Sequence, residues 1–172
     1  MIPGLLASFF SLLSAEPRAR KSAGLDDIPL RTYLRQMFTS SGELYPLGAF
    51  GYSERLALML DALAAAPARA RLLDAGCGYG TESLLFALSG REVWGVELVS
   101  ERAEFARSRV DYYQKAAGRP LDIRFINAHI FRFLETAPSF DIIWAMEANG
   151  SDKRQKKSIC KRFISICNLF AR

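Results

Sequence analysis

From residue 71 onward, short apolar runs alternate with longer stretches in which apolar residues recur at helical spacing. Leu72-Leu73 is the apolar end of a strand, and Thr81 to Leu88 (TESLLFAL) carries a helical apolar face. A second strand, Glu92 to Val96, ends in Glu97. The next helix runs from Glu101 to about Ala117, with Ser100 as its N-cap and Ala103, Ala106, Val110 and Tyr113 among its apolar positions; Gly118-Arg119-Pro120 stops it. A third strand follows at Leu121 to Ile126. Phe140 to Ala148 then forms a near-continuous apolar run of the kind found in a strand buried on both faces of a parallel sheet. This alternation predicts an α/β fold, a Rossmann-like doubly wound parallel sheet of about four strands.

The first 68 residues have a different rhythm. Ile28 to Met37 has helical spacing, and Ser53 is placed to cap a helix through Leu56, Leu58, Leu60, Leu63 and Ala64 that ends before Pro67. Between them lies Gly42 to Tyr52, a loop rich in glycine and aromatic residues. Leu5 to Leu13 (LLASFFSLL) has the apolarity of a short signal-peptide core. The basic residues that precede such a core are missing, since the first is Arg18, and the run is too short to span a bilayer. The expectation is a helix that docks on the fold or lies on a membrane surface, without stable membrane insertion, in a cytoplasmic protein. The chain divides into an N-terminal helical segment and cap (1–68), an α/β core (69–148) and a C-terminal tail (149–172).

Composition narrows the classes. With 172 residues, half of them hydrophobic, the chain can bury a single substantial core. The net charge of +5 would suggest nucleic acid as a partner, but its distribution does not. Seven basic residues and one acidic residue lie from Ser151 onward, so the whole positive excess sits in the tail. Cys77, Cys160 and Cys167 have neither the spacing of metal ligands nor the even count of a disulfide framework, and no metal site is expected.

The chemistry concentrates at the first strand's end, where Asp74-x-Gly76-x-Gly78-x-Gly80 opens into the helix that begins at Thr81. Glycines there allow positive φ and close approach of a ligand to the backbone, with helix N-terminal amides aimed at polar atoms. A dinucleotide loop instead spaces its glycines as G-x-G-x-x-G. A carboxylate ahead of the glycines would repel a pyrophosphate but suits a ligand that carries an ammonium group. Glu97, seventeen residues after Gly80, stands where nucleotide folds place an acid for the ribose hydroxyls, with Leu98 beside it for an adenine face.

On these residues the chain resembles the class I S-adenosylmethionine-dependent methyltransferases, whose first motif is similar to LLDAGCGYGTESL; the resemblance extends from about Tyr45 to Glu147. It implies S-adenosylmethionine as cofactor. Gly76, Gly78 and Gly80 would lie along its methionine portion, Asp74 would meet its ammonium directly or through water, and Glu97 would hold its ribose. Asn127 and the Ala128 N–H would meet the adenine edge. The end of the fourth strand, Trp144 to Glu147, would border the methyl-transfer centre, with Glu147 or His129 as candidate bases; His129 in a strand-to-helix loop reads equally as a cap. Tyr45, Phe50 and Tyr52, with Trp144, are candidates for an acceptor pocket. The Asn/Asp-Pro-Pro-Tyr/Phe motif of enzymes that methylate base amines or glutamine is missing after the fourth strand, which together with the nearly neutral core favours a small-molecule acceptor over nucleic acid.

The visible resemblance stops after Ala148, and a sheet of the family's usual size would need three further strands. A shortened or frame-shifted chain is the preferred reading of this shift in composition. The other is a natural short form whose exposed fourth-strand edge pairs with a partner chain. Ile159, Phe163, Ile166 and Phe170 share one helical face, so part of the tail is expected to be helical from about Ser158. The rival functions are an inactive methyltransferase fragment or cofactor-binding module, with the basic tail as an interaction arm, and a nicotinamide-dependent oxidoreductase, which the glycine spacing disfavours.

Overall fold

The computed structural model describes residues 2–39 and 59–145. In chain order these form α1 (Ile2–Ser22), α2 (Ile28–Thr39), α3 (residues 59–65), β1 (Arg71–Ala75), α4 (Thr81–Leu88), β2 (Glu92–Glu97), α5 (Ser100–Ala117), β3 (Ile123–Asn127), α6 (Ile130–Thr136) and β4 (Ile142–Trp144). The four strands are parallel in the order β3-β2-β1-β4. Strand order therefore reverses direction at β1, and the carboxyl ends at such a switch point are where open α/β sheets bind ligands. The Ser53 cap, Tyr45, Phe50, Tyr52, Glu147 and the tail lie outside the described residues.

The two sheet faces are covered unequally. Alternation along β1 sends Leu72 into a large cluster with Phe9 and Leu13 of α1, Leu60 and Leu63 of α3, Leu84 and Phe86 of α4, and Ala106 and Tyr113 of α5. Leu73, Ala75 and Val96 face the other way and meet Ile130, Phe133 and Leu134 of α6, a helix with no fully buried residue. The strand registers carry this pattern across the sheet, with Leu72 opposite Val93 and Ile142, and Glu97 opposite Asn127.

Two expectations change, and a third resolves to one of its two readings. Ser100 is the first residue of α5 rather than its cap: Val99 holds the N-cap position, and the Ser100 hydroxyl donates to Glu101 at 3.0 Å. Gly118 does end that helix, in the left-handed conformation with φ 63°. The fourth strand is three residues long and half-buried rather than buried on both faces. Among the described residues it is the sheet edge, tied at its start by the Asp141 N–H to the Arg71 carbonyl (2.9 Å) and by the Arg71 N–H to the Asp141 carboxylate (2.7 Å). The N-terminal apolar run is part of a 21-residue helix that docks on the fold, with Phe9 and Leu13 buried against α4 and α5. No described helix is long and apolar enough to cross a membrane.

Gly95 in β2 shows how tightly the larger face is packed. A Cβ there would stand 2.6 Å from the Phe125 ring and 3.0 Å from the Cys77 sulfur. Phe125 is thereby seated against the sheet backbone, and α5 closes over it. Gly95→Ala is expected to destabilise the domain by about 1–3 kcal/mol through overpacking. Urea unfolding should also show the Gly95→Ala, Phe125→Leu double variant losing less than the sum of the two single changes.

Candidate cofactor site

The loop between β1 and α4 is a run of tight turns anchored to β2. The Gly76 and Cys77 N–H groups both donate to the Val96 carbonyl, at 2.8 and 3.1 Å, and the Gly80 N–H donates to the Cys77 carbonyl at 2.8 Å. Its glycines do different work. At Gly80 (φ 76°) an added Cβ would lie 2.5 Å from the Phe125 ring, so this glycine lets the loop close down on the core. At Gly78 (φ 54°) the same atom would meet nothing within 4 Å, so its α-carbon faces open space.

Two carboxyl groups stand at this loop. Glu97, at the end of β2, is buried, and its oxygens accept from the Gly78 N–H and the Val99 N–H, each at 2.9 Å. Each oxygen keeps further acceptor capacity, which suits a pair of neighbouring hydroxyls. Beyond it Leu98 and Val99 are exposed, Leu98 by 65%. Asp74 is buried under the loop and accepts a 2.5 Å hydrogen bond from the Ser83 hydroxyl of α4. Burial, reinforced by the negative charges of Glu82 and Glu97, pushes its carboxyl up to about 8. Burial likewise raises the Cys77 thiol, making it a packing residue rather than a nucleophile.

On the β3 side, Asn127 spends its amide N–H groups on the Glu97 carbonyl (3.0 Å) and the Leu98 carbonyl (2.9 Å), leaving Oδ1 as an acceptor. The Ala128 N–H is also engaged within the protein, donating to the Glu97 carbonyl at 3.1 Å. His129 is the N-cap of α6, its Nδ1 accepting from the Phe131 N–H at 3.3 Å. Trp144 pairs in register with Asp74 and packs edge-on against Phe86; its indole N–H is buried with no partner among the described residues. Asp74, Glu97, the glycines, Asn127 and Trp144 thus converge on the carboxyl end of the sheet.

The profile of the methyltransferase-domain family matches residues 72–168, more than half the chain. The chain belongs to this methyltransferase family. The match runs twenty residues beyond Ala148, so the tail falls within the family's pattern for most of its length, although the motifs visible in it end earlier. One relative, an S-adenosyl-L-methionine-dependent Diels-Alderase of Talaromyces variabilis, is 33% identical over 101 residues, or 58% of this chain and 33% of the relative. The YcgJ protein of Bacillus subtilis is 30% identical with a TM-score of 0.45, covering 60% of this chain and 42% of its own. A SAM-dependent methyltransferase from Agrobacterium tumefaciens is 23% identical with a TM-score of 0.44, covering 54% of this chain and 30% of its own. The chain spans about a third of the length of the curated relative it matches.

This methyltransferase domain also contains a cluster that sequence reasoning missed. Arg109 of α5 and Glu16 of α1 form a fully buried ion pair, with Nε and Nη2 donating to the two carboxylate oxygens at 2.8 Å each. The Tyr113 hydroxyl donates to the same carboxylate at 2.8 Å, and Arg109 Nη1 reaches the glycine loop at the Tyr79 carbonyl. The available signal was an arginine set among Ala106, Val110 and Tyr113, on the helix's apolar stripe.

The Asp74 environment yields a pH prediction in the methyltransferase domain. In the unfolded chain this carboxyl titrates near about 4, whereas in the fold it keeps its proton to about 8. The fold binds the extra proton between those values, so this group's contribution to stability is present below the lower value and is lost as pH rises towards the higher one. Asp74→Asn should retain the Ser83 hydrogen bond and remove that loss. Its urea-unfolding free energy should gain on the parent's steadily from about pH 5 to pH 8.

Proposed function

We propose that this chain carries the cofactor-binding part of an S-adenosylmethionine-dependent methyltransferase that acts on a small-molecule acceptor in the cytoplasm. The observation that carries the reading is the Glu97 carboxylate, held by the Gly78 and Val99 amides with acceptor capacity to spare, between open space at Gly78 and the exposed Leu98. That donor and acceptor set fits a ribose with an adenine on one side and an amino-acid chain on the other. Bound S-adenosylmethionine supplies an electrophilic methyl group on a sulfonium centre.

The protein's task is then to bind, orient and exclude water. Glu97 accepts from the ribose hydroxyls, Leu98 covers the adenine face, and Asn127 Oδ1 is the acceptor for the adenine amino group. Gly76, Gly78 and Gly80 follow the methionine portion, and Asp74 faces its ammonium from beneath the loop. The Trp144 indole N–H, which has no partner among the described residues, supports a place for Trp144 on the acceptor side. Tyr45, Phe50 and Tyr52 complete that pocket in this reading, and Glu147 or His129 takes a proton from the acceptor where its nucleophile carries one. His129 would do so through Nε2, since Nδ1 caps α6.

The Talaromyces relative favours a second reading, in which the same cofactor site serves a cyclisation and the methyl group stays in place. The two readings differ in product. Methyl transfer generates S-adenosylhomocysteine in proportion to turnover, and a cyclisation does not.

Calorimetric titration with S-adenosylmethionine is the test. The parent should bind, Glu97→Ala should bind at least tenfold more weakly, and NADH should give no saturable response. Failure of well-folded parent protein to bind S-adenosylmethionine would sink the proposal. Because Asp74 must release its proton to meet an ammonium, affinity should rise roughly tenfold or more from about pH 6 to about pH 7.5, a span over which an α-amino group stays mostly protonated. Asp74→Asn should bind more weakly at the higher pH and show a flat profile.

A further inference from the structure

The Arg109 guanidinium has five N–H donors, and all five are used. Two go to Glu16 and one to the Tyr113 hydroxyl at 3.3 Å. The remaining two, on Nη1, go to the Tyr79 carbonyl at 2.7 Å and the Thr81 hydroxyl at 2.9 Å. Those last two acceptors bracket Gly80, the left-handed residue at which the loop becomes α4. A single nitrogen therefore clamps both sides of the turn that aims the first amides of the helix. The Tyr79 ring is held independently, edge-on to Tyr33 of α2 and to Phe105 of α5, with centroids 5.4 Å away in each case.

We infer that Arg109, oriented by Glu16 of α1, is a positioning residue for the glycine loop, so that the N-terminal helices set the loop's readiness to receive the methionine end of the cofactor. The inference deepens the cofactor reading above and rests on it for its ligand. Its geometric basis is a division of labour within one side chain. The Nε and Nη2 edge fits the planar carboxylate of Glu16, and the Nη1 corner fits the loop. A lysine retains the charge for Glu16 but cannot present both edges at once. Glu16 acts on the loop by holding the plane of the guanidinium that grips it.

Arg109→Lys and Thr81→Val separate this role from simple support of the fold. Phe133→Leu, a change in the smaller cluster on the opposite face of the sheet, serves as the control for lost stability. In cofactor-free protein, amide hydrogen exchange at residues 76–82 should quicken at least tenfold in Arg109→Lys and Thr81→Val, and should stay at the parental rate in Phe133→Leu. In calorimetry both loop variants should lose tenfold or more in affinity for S-adenosylmethionine. Both should bind adenosine, which reaches only the Glu97 side, within about twofold of the parent. Should Arg109→Lys fail to fold, Thr81→Val alone carries the test. Parental exchange at the loop in a folded Arg109→Lys or Thr81→Val variant, or equal losses for adenosine and S-adenosylmethionine, would overturn the inference. Quickened exchange with no S-adenosylmethionine binding by the parent would leave the positioning role standing and overturn the cofactor reading.

Discussion

The ion pair between Glu16 and Arg109 is the constraint on which the larger half of this domain is organised. Both side chains are inaccessible to solvent, and taking two charges out of water costs several kcal/mol per ion unless every polar atom finds a partner. Here every Arg109 donor does. Burial by itself would lower the guanidinium's proton affinity, and the bonds to Glu16 overcome that and raise it, so Arg109 stays charged. The Tyr113 phenol is raised, first by burial and also by Glu16, and remains a donor. A pair that demands so much satisfaction tolerates few alternative placements of α1. It fixes the register at which Phe9 and Leu13 enter the core and makes the N-terminal helix an integral part of the α/β fold.

The carboxyl end of the sheet depends on a second economy, in which side chains are left out so that backbone and ring can meet. Gly95 admits Phe125 against β2, and Gly80 admits the same ring against the loop. The two glycines lie on different elements and serve one phenylalanine. The loop is drawn down onto the core at Gly80 while Gly78, two residues earlier, stays clear of other atoms. Glu97 then joins the pieces, since its carboxylate bonds the loop at Gly78 and the start of the next turn at Val99, while Asn127 holds the Glu97 and Leu98 carbonyls from β3.

What the sequence made legible was local. A strand of two leucines, an acid, alternating glycines and a helix with an apolar face form a contiguous signal, and α4 occupies Thr81–Leu88 as its spacing predicts. The exit of α5 was equally readable from Gly118. Its entry was not, because Ser100 and Val99 both flank the first turn, and the choice of cap depends on backbone angles that propensity does not determine. The length of β4 was overread because a continuous apolar run reports burial only if neighbours stand on every side. The Glu16 and Arg109 pair lay beyond sequence reasoning for another reason: its partners are 93 residues apart, and charged residues on helices are usually solvated.

The electrostatics of the loop argue for the kind of ligand it receives. A helix N-terminus facing an anion needs its partial positive charge free, and phosphate sites leave it so. In this domain Glu82 stands in the first turn of α4, Asp74 lies beneath the loop and Glu97 beside it. Three carboxyl groups thus belong to this loop and its flanks, and the charges of Glu82 and Glu97 add to burial in raising the Asp74 carboxyl. Without a ligand the domain relieves that crowding by keeping a proton on Asp74, the most deeply buried of the three. A cation entering the loop would relieve the same repulsion by displacing the proton. Proton and ligand charge are therefore alternative solutions to one electrostatic problem, and in the proposed cofactor reading the ammonium of S-adenosylmethionine is the ligand charge that takes the proton's place.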